Sequence, residues 1–342
     1  MRIFSGIQPT GTKHLGNYSG GFRQYVATQE RGEAFFCIVD LHSITGKHDP
    51  EVLRAATFDL AAMLFATGVD PDRSTVFVQS HVPAHPEAAW LLASVTAFGE
   101  LRRMTQFKEK SESREFVSAG LLTYPILQAA DILLYQTDVV PVGDDQRQHL
   151  ELARDVAERF NSRYGPTFTL PRHEIPTVGA RVKDLQEPER KMSTTDGTPL
   201  GTVYLVDTPD DIRRKFKAAV TDTGRDVRRA DDKPGVTNLV EILALATGES
   251  PEAVEARYEG RGYGELKGEV ADAVVALVEP IQRRYAELRD DEPELGRLLA
   301  RGAAKAAAVA EPTLTTMYDR LGFATRSTRV VFDDAARVEG RV

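Results

Sequence analysis

The sequence contains a single cysteine, Cys37, among 342 residues. An intramolecular disulfide is therefore impossible, and a reducing compartment, the cytoplasm, is the expected location. No run of about eighteen apolar residues occurs, so we expect no membrane span. The first residues also lack a secretory apolar stretch and lead directly into a strand-like segment.

Positive charge is not in excess, since 43 lysines and arginines face 51 aspartates and glutamates, a net charge of −8. This balance excludes a protein that coats nucleic acid indiscriminately. One stretch, residues 213–233, is locally basic, with eight Lys or Arg against four Asp. It is either a solvated helix face with its loop or a local surface that contacts nucleic acid.

Convincing metal ligands are also missing. The seven histidines are scattered, and His81 and His85 have helix-like spacing but Pro83 between them. That proline argues against a shared helical face. We therefore expect no metal site formed by the protein and no protein-bound zinc.

The first half of the chain alternates strand-like and helix-like segments. Apolar runs of strand length occupy residues 2–7, 34–39, 75–79 and 138–142. Helical patterns separate them, which predicts a parallel sheet covered on both faces. After about Val206 the strand signals fade. The fold class is therefore α/β, a parallel sheet followed by an all-helical second domain, with helices predicted at 210–219, 236–246, 251–258, 268–288 and 293–321.

The segment Ser5 to Asn17, SGIQPTGTKHLGN, lies between a predicted strand and a predicted helix. In an open α/β sheet this is an end where ligands bind. Its glycines allow a close approach to the backbone, and the start of the helix attracts phosphate. His14 and Asn17 are candidate side-chain donors to the same anion. A turn that binds nothing is the alternative.

A second segment, Arg190 to Gly197, has the sequence RKMSTTDG. The lysine charge and the small hydroxyl side chains suit a phosphate clamp. Alone the pattern is weak, because exposed loops of lysine, serine and threonine are common.

Together the two segments resemble the paired signatures of class I aminoacyl-tRNA synthetases, HLGN near the N-terminus and a KMSTT loop about 175 residues later. Longer stretches over essentially the whole chain resemble the bacterial tryptophanyl-tRNA synthetases. They include SGIQPTG, FCIVDLHSIT, FVQSHVPAH, GELRRMTQFKEKS, AGLLTYPILQAADILLYQTD, VPVGDDQRQHLELARDVAERFN and YEGRGYGELKGEVADAV.

The resemblance implies a Rossmann-like catalytic domain and a ligase reaction. ATP would activate L-tryptophan to tryptophanyl-adenylate and pyrophosphate, and tryptophan would then be transferred to tRNA(Trp). Mg²⁺ would arrive with ATP, held mainly by phosphate oxygens. A homodimer without a membrane partner is expected. The implied domains are 1–206, catalytic and nucleotide-binding with the mobile KMSTT loop; 207–290, helical and in contact with tRNA; and 291–342, a C-terminal helix packing back on the catalytic domain.

The resemblance also implies which residues hold ATP, with Val182 beside adenine and the KMSTT loop over the phosphates. The implied ATP-binding residues are Gln8, Pro9, Thr10, His14, Gly16, Asn17, Gly143, Asp144, Asp145, Val182, Lys191, Met192, Ser193, Thr194 and Thr195. The residues implied in catalysis are Lys191, Ser193, Lys110, Gln8 and Asn17.

The implied tryptophan pocket falls on a predicted helix. Tyr124, Gln128 and Asp131 have the spacing i, i+4 and i+7 and share one face. By resemblance Asp131 accepts the indole N–H, which lets a site reject amino acids that lack it. The residues alone leave another interpretation open, in which Asp131 is a cap or is paired within the protein. The implied walls of the pocket are Phe4, His42, Val140 and Val142.

Two positions depart from the family pattern. Thr194 and Thr195 stand where the mobile loop usually ends in Lys-Ser, so one phosphate-facing cation is missing. Gln128 stands where many relatives have Met, and the Tyr-x-x-x-Gln-x-x-Asp arrangement is shared with tyrosyl-tRNA synthetases. A tyrosine-specific synthetase is therefore one alternative, and a tRNA-binding paralogue without aminoacylation is the other.

Overall fold

The computed structural model of the protein describes residues 1–112, 116–143, 146–174, 182–194 and 197–324. Within these ranges five strands form one sheet, and all neighbouring strands are parallel. The order across the sheet is β3-β2-β1-β4-β5, where the strands are β1 (Arg2–Ile7), β2 (Glu33–Ile38), β3 (Ser74–Val78), β4 (Val139–Pro141) and β5 (Arg172–Glu174).

The predicted parallel sheet is confirmed, and the four predicted strands agree with β1 to β4. The edge strand β5 was not predicted. Its sequence, Arg-His-Glu, has no apolar residue, and none of its side chains is buried. The segment is a strand because its backbone pairs with β4, with Val139 opposite Arg172, and the local sequence gives no sign of this pairing.

Helices surround the sheet. Those of the first half are α1 (Leu15–Asn17), α2 (Arg23–Thr28), α3 (Asp40–Ser43), α4 (Pro50–Ala66), α5 (Ala84–Ala93), α6 (Phe98–Arg103), α7 (Thr105–Glu112), α8 (Ala119–Leu133) and α9 (Arg147–Tyr164). A π-helical turn, Tyr18–Phe22, joins α1 to α2, and a 3₁₀ turn, Gln79–His81, follows β3. Helices α3, α6, α7 and α9 went unpredicted, although the buried positions of α9 recur at helical spacing.

The described residues from Pro209 onward form helices and no strand, as the sequence predicts. They are α10 (Pro209–Ala218), α11 (Pro234–Thr247), α12 (Pro251–Arg257), α13 (Tyr263–Asp290) and α14 (Glu292–Leu321). Helix α13 begins five residues before its predicted start at 268, because Gly264 and Gly268 lie inside the helix instead of before it.

Two hydrophobic clusters pack on opposite faces of the sheet, and β2 shows how. Phe36 and Ile38 belong to the cluster with α4, α11 and α13, whereas Phe35 and Cys37 belong to the cluster with α5, α8 and α9. The alternation follows from the two-residue repeat of a strand. A strand buried on both faces has no polar side, which explains the continuous apolar run in its sequence.

Helix α14 packs against β3 through a glycine. A Cβ atom placed on Gly302 would lie 1.7 Å from the carbonyl oxygen of Val76. The absence of a side chain therefore lets the helix approach the strand backbone. Among the described residues, no helix combines the length and apolar character needed to cross a membrane.

Replacing Gly302 should test this contact. Gly302→Ala forces α14 away from β3 and should lower the free energy of unfolding by about 3 kcal/mol. Gly296→Ala on the same helix is the matched control, because nothing lies within 4 Å of its Cβ position. That variant should be neutral or up to about 1 kcal/mol more stable. Urea denaturation measures both, and equal stabilities would contradict the close contact.

Candidate active site

A cleft opens where the strand order of the sheet reverses. From β1 the chain continues to β2 and β3 on one side, whereas β4 and β5 lie on the other side of β1. Ligands bind outside the carboxyl ends of strands at such a reversal. A cleft of about 430 Å³ lies there, against Gly6 near the end of β1 and Val142 just after β4.

This cleft contains all the residues predicted for the amino-acid pocket, with two of those predicted for ATP or catalysis. They are Phe4, His42, Tyr124, Gln128, Asp131, Val140 and Val142, together with Gln8 and Lys110. Other lining residues were not predicted. Among them, Gln106 and Leu121 lie one helical turn from Lys110 and Tyr124, so helical periodicity was the signal that could have found them.

Asp131 is buried at the base of this cleft, with 1% of its surface exposed. Its two carboxylate oxygens accept hydrogen bonds from Gln79 Nε2 at 2.7 and 2.8 Å, His42 Nε2 at 2.8 Å and His85 Nδ1 at 2.6 Å. Burial by itself raises the pKa of Asp131, but the two histidines outweigh it and lower the pKa to about 2. The carboxylate is therefore ionised and paired within the protein.

His85 links Asp131 to the wall of the cleft. Its second ring nitrogen, Nε2, lies 2.8 Å from the hydroxyl of Tyr135. The ring thus joins the carboxylate to the phenol through its two nitrogens. The Tyr135 ring stacks on Phe4 at a centroid distance of 5.5 Å. The hydrogen bonds around Asp131 therefore also hold one apolar wall of the cleft.

The rim of the cleft is polar. The Tyr124 hydroxyl lies 2.6 Å from His149 Nε2, and burial raises the pKa of Tyr124 to about 12, so the phenol keeps its proton. Gln128 Nε2 donates to Gln146 Oε1 at 3.4 Å. Lys110 Nζ donates to Gln106 Oε1 at 3.1 Å. An apolar cavity with a carboxylate base and a polar rim suits a small amphipathic ligand.

A second cavity, of about 280 Å³, lies beside α1 and the π-helical turn. It brings together four of the residues predicted for ATP: Gly16, Asn17, Val182 and Lys191. Sequence analysis missed Lys13, Gly20 and Gly21, which also line this cavity. Closely spaced glycines around a cationic cavity permit the close backbone approach that a nucleotide requires.

His14 and Asn17 form a reciprocal cap at the start of α1. His14 Nδ1 accepts from the Gly16 N–H at 3.1 Å, and Asn17 Oδ1 accepts from the His14 N–H at 3.0 Å. Burial, together with the charges of Lys191 and Lys13, lowers the pKa of His14 to about 4. The ring is therefore neutral near pH 7 and adds no positive charge to the predicted anion site.

The 191–194 segment contacts the glycine-rich loop, residues 8–14 between β1 and α1. Met192 is buried, and its N–H donates to the Val182 carbonyl at 3.2 Å. Thr194 Oγ1 donates to the Thr12 carbonyl at 3.1 Å. The threonine that replaces a lysine of the family pattern is therefore anchored on the loop and not directed only to solvent.

Some predicted residues line neither cavity. These are Pro9, Thr10, His14, Gly143, Met192, Ser193 and Thr194. Asp144, Asp145 and Thr195 lie outside the described residues. Within the described ranges, no group of three or more His, Cys, Asp or Glu side chains is arranged to hold a metal ion.

The basic stretch 213–233 is largely neutralised by its neighbours. Six of its cations pair with carboxylates: Arg213, Arg214, Lys215, Arg228, Arg229 and Lys233. Lys215 is buried against Asp207 at 2.5 Å. The stretch as a whole is therefore not a continuous positive surface.

A groove of about 560 Å³ between α10 and α13 has a different character. Lys217 and Lys267 line it and pair with no carboxylate among the described residues, while Arg213 bonds Asp272 at 3.1 Å. Burial lowers the pKa of Lys267. Gly264 and Gly268 form part of the groove, and nothing lies within 4 Å of their Cβ positions.

Comparison with known proteins identifies the family. A family model described as class I tRNA synthetases (W and Y) matches residues 1–279. The chain belongs to the class I tRNA synthetases of this type. It is 50% identical over 322 residues to the tryptophan–tRNA ligase of Clostridium tetani, covering 94% of this chain and 95% of that protein. It is 52% identical to tryptophan–tRNA ligase 2 of Streptomyces avermitilis over 326 residues, 94% and 97% of the two chains.

Solved structures of this synthetase family have the same fold. Tryptophanyl-tRNA synthetase from Campylobacter jejuni, complexed with ADP and tryptophan, matches with a TM-score of 0.84 and 33% identity, covering 94% of this chain and 100% of that chain. The enzyme from Mycoplasma pneumoniae matches with a TM-score of 0.83 and 36% identity, over 94% and 98%. A tyrosyl-tRNA synthetase from Aeropyrum pernix, 23% identical with a TM-score of 0.64, shares the fold alone.

The neutral state of His14 makes the stability of the fold depend on pH. Its pKa is 6.5 in an ordinary environment and about 4 in the fold, so the unfolded chain binds a proton first as pH falls. The wild type should lose up to about 3 kcal/mol of unfolding free energy as the pH falls from 6.5 to about 4. His14→Asn keeps a capping oxygen but has no imidazole to protonate, so it should lose less unfolding free energy over the same pH range. Urea denaturation across the interval measures the difference, and identical pH profiles would exclude this role of His14.

Proposed function

We propose that this protein is a tryptophan–tRNA ligase. The tryptophan carboxylate attacks the α-phosphate of ATP, which forms tryptophanyl-adenylate and releases pyrophosphate. The terminal ribose hydroxyl of tRNA(Trp) then attacks the activated carbonyl, and AMP leaves. The observation that carries the proposal is an apolar cleft with an ionised carboxylate at its base, beside a lysine-lined cavity, in a chain half identical to tryptophan–tRNA ligases.

The cleft suits the indole ring of tryptophan. A carboxylate offers about four acceptor positions, and Gln79, His42 and His85 together make four contacts with Asp131. Gln79 Nε2 contacts both oxygens, so the indole N–H would replace one of its two contacts. Tyr124 and Gln128 lie on the same helix as Asp131 and face the α-amino group or the ring. Phe4, Val140 and Val142 supply apolar contact, while His42 holds the carboxylate.

The second cavity suits ATP, with Val182 toward adenine and Gly16 and Asn17 toward the phosphates. Lys191, Ser193, Lys110, Gln8 and Asn17 stabilise the charge that develops at the phosphates during in-line attack. No side chain acts as the nucleophile, so positioning and electrostatic stabilisation produce the rate. Mg²⁺ accompanies ATP and is held mainly by phosphate oxygens; activation should therefore stop when a chelator removes it.

Amino-acid-dependent ATP–pyrophosphate exchange tests the proposal directly. The protein should catalyse exchange with tryptophan and much less with tyrosine. An enzyme of the tyrosine-specific alternative would show the reverse preference. A tRNA-binding paralogue would show no exchange with either amino acid.

Asp131→Ala, which removes the acceptor, tests the indole contact within the same assay. An unmet indole N–H costs about 1–3 kcal/mol, so kcat/KM for tryptophan should fall about 5- to 150-fold. The KM for ATP should change little, because the nucleotide lies in the other cavity. A thermal denaturation scan controls for the loss of partners to Gln79, His42 and His85. An unchanged KM for tryptophan in a folded variant would remove Asp131 as the indole partner.

We also propose a cytoplasmic homodimer. Trp90 of α5 and Phe98 of α6 are 80% and 63% exposed, which is unusual for such large apolar side chains. Their positions on consecutive helices favour this side as the dimer contact. Sedimentation should give a mass near twice 37.7 kDa, and a monomer would contradict the proposal.

The tRNA contact is proposed on the helical segment 207–290, at the groove between α10 and α13. Lys217 and Lys267, which have no carboxylate partner among the described residues, attract phosphate. The two glycines leave space for a sugar–phosphate backbone beside α13. Each glycine costs about 1 kcal/mol of helix propensity relative to alanine. The paired cations Arg228 and Arg229 are weaker candidates, because Asp232, Glu252 and Glu255 neutralise them.

Charge reversal tests this groove. Lys217→Glu with Lys267→Glu should weaken tRNA charging, most strongly at moderate salt, and should reduce its salt dependence. Tryptophan–ATP activation should stay unchanged. Arg284→Glu is the matched control, since it reverses a charge on α13 about 25 Å from Lys267. Equal charging by the double variant and the control would mean that the groove does not contact tRNA.

A further inference from the structure

The cavity beside α1 has an uneven charge. Among the described residues its charged lining is Lys13 and Lys191, and none of those lining residues is Asp or Glu. Both lysines also act on His14, whose pKa falls through burial and then through these two charges. Two ammonium groups therefore share one small cavity whose described lining contains no carboxylate.

Lys13 is held in place by the loop on which it lies. Its Nζ donates to the Thr10 carbonyl at 2.7 Å and to the Gln8 carbonyl at 3.4 Å. Among the described residues, no carboxylate pairs with it. Burial lowers the pKa of Lys13 to about 8. An ammonium has three donors, so one remains after the two carbonyls are satisfied.

The loop that bears Lys13 is also where the 191–194 segment is anchored. Thr194 Oγ1 donates to the carbonyl of Thr12, the residue before Lys13. Gly11 has φ of +64°, and a Cβ there would lie 3.1 Å from Thr194 Cγ2. Thr194 therefore contacts the turn directly, at the position where the family pattern has a second loop lysine.

We propose that Lys13 binds the β- and γ-phosphates of ATP and supplies the positive charge that Thr194 does not. The proposal rests on the proposed function, since it assigns a further ligand to the same nucleotide site. Three observations support it: the described lining of the cavity has no carboxylate, Lys13 has one donor left over, and Thr194 contacts the same turn. The charge would then lie on the glycine-rich loop instead of on the 191–194 segment.

The competing explanation is that Lys13 only stabilises the turn through the carbonyls of Gln8 and Thr10. Two substitutions separate charge from hydrogen bonding. Lys13→Gln keeps an N–H donor for the carbonyls and removes the charge. Lys13→Arg keeps the charge. Lys305→Met is the matched control, because Lys305 is an exposed lysine that donates to the Pro71 carbonyl at 3.2 Å on the distant helix α14.

Calorimetric binding of Mg²⁺–ATP and of AMP is the central measurement. AMP retains adenine, ribose and the α-phosphate but lacks the phosphates assigned to Lys13. Lys13→Gln should weaken binding of ATP about 10- to 150-fold, the effect of one charge-assisted hydrogen bond. It should leave AMP binding unchanged. Lys13→Arg should restore most of the ATP affinity, and Lys305→Met should match the wild type for both nucleotides.

Two outcomes would overturn the assignment. Equal weakening of ATP and AMP by Lys13→Gln would show a structural role in the turn. Unchanged ATP affinity in that variant would show that Lys13 does not reach the phosphates. Tryptophan-dependent exchange by the wild type is measured in parallel, so that failure of the proposed function is seen as absence of exchange in every protein, the wild type included.

Discussion

The ionised carboxylate of Asp131 is the interaction on which the cleft depends. It joins α8 to α3 through His42, to α5 through His85 and to the turn after β3 through Gln79. A buried charge costs several kcal/mol unless it is paired and hydrogen-bonded. These elements must therefore pack in one arrangement to satisfy it. The same arrangement positions Phe4, through Tyr135, as a wall of the cleft.

The lysines and arginines discussed above fall into two groups, those in ion pairs within the protein and those that line a cavity or groove. Lys215 and Arg229 pair with nearby carboxylates and support local packing. Lys13 and Lys191 line a cavity, and Lys217 and Lys267 line a groove, and none of the four pairs with a carboxylate in the part of the chain that the structure describes. Surface ion pairs contribute little to stability. An ammonium group that lines a concave site and has no such partner can instead attract an anionic ligand strongly.

The reversal of strand order explains why the two cavities are neighbours. Strand β1 is central, and the chain leaves its carboxyl end as the glycine-rich loop that enters α1. One cavity lies beside α1, and the other lies between the ends of β1 and β4. Gly6 and Gln8 line the first cavity and Ile7 lines the second, so ligands bound in the two would lie on either side of the end of β1. Adenylate formation needs this proximity, because it proceeds by direct attack without a protein nucleophile.

The sequence by itself determined the strands β1 to β4 and the helical second half. It also carried the family resemblance from which the residues of the cleft were predicted. Local apolar runs and motif strings carry that information, since they depend on neighbours in the chain. Only the tertiary structure decided the edge strand β5, the three partners of Asp131, the anchoring of Thr194 on Thr12, and which cations of the basic stretch remain unpaired. Each of these is a contact between residues far apart in sequence or a matter of burial. The presence of a lysine does not reveal whether a carboxylate will lie within 4 Å of it, because that depends on how the helices pack.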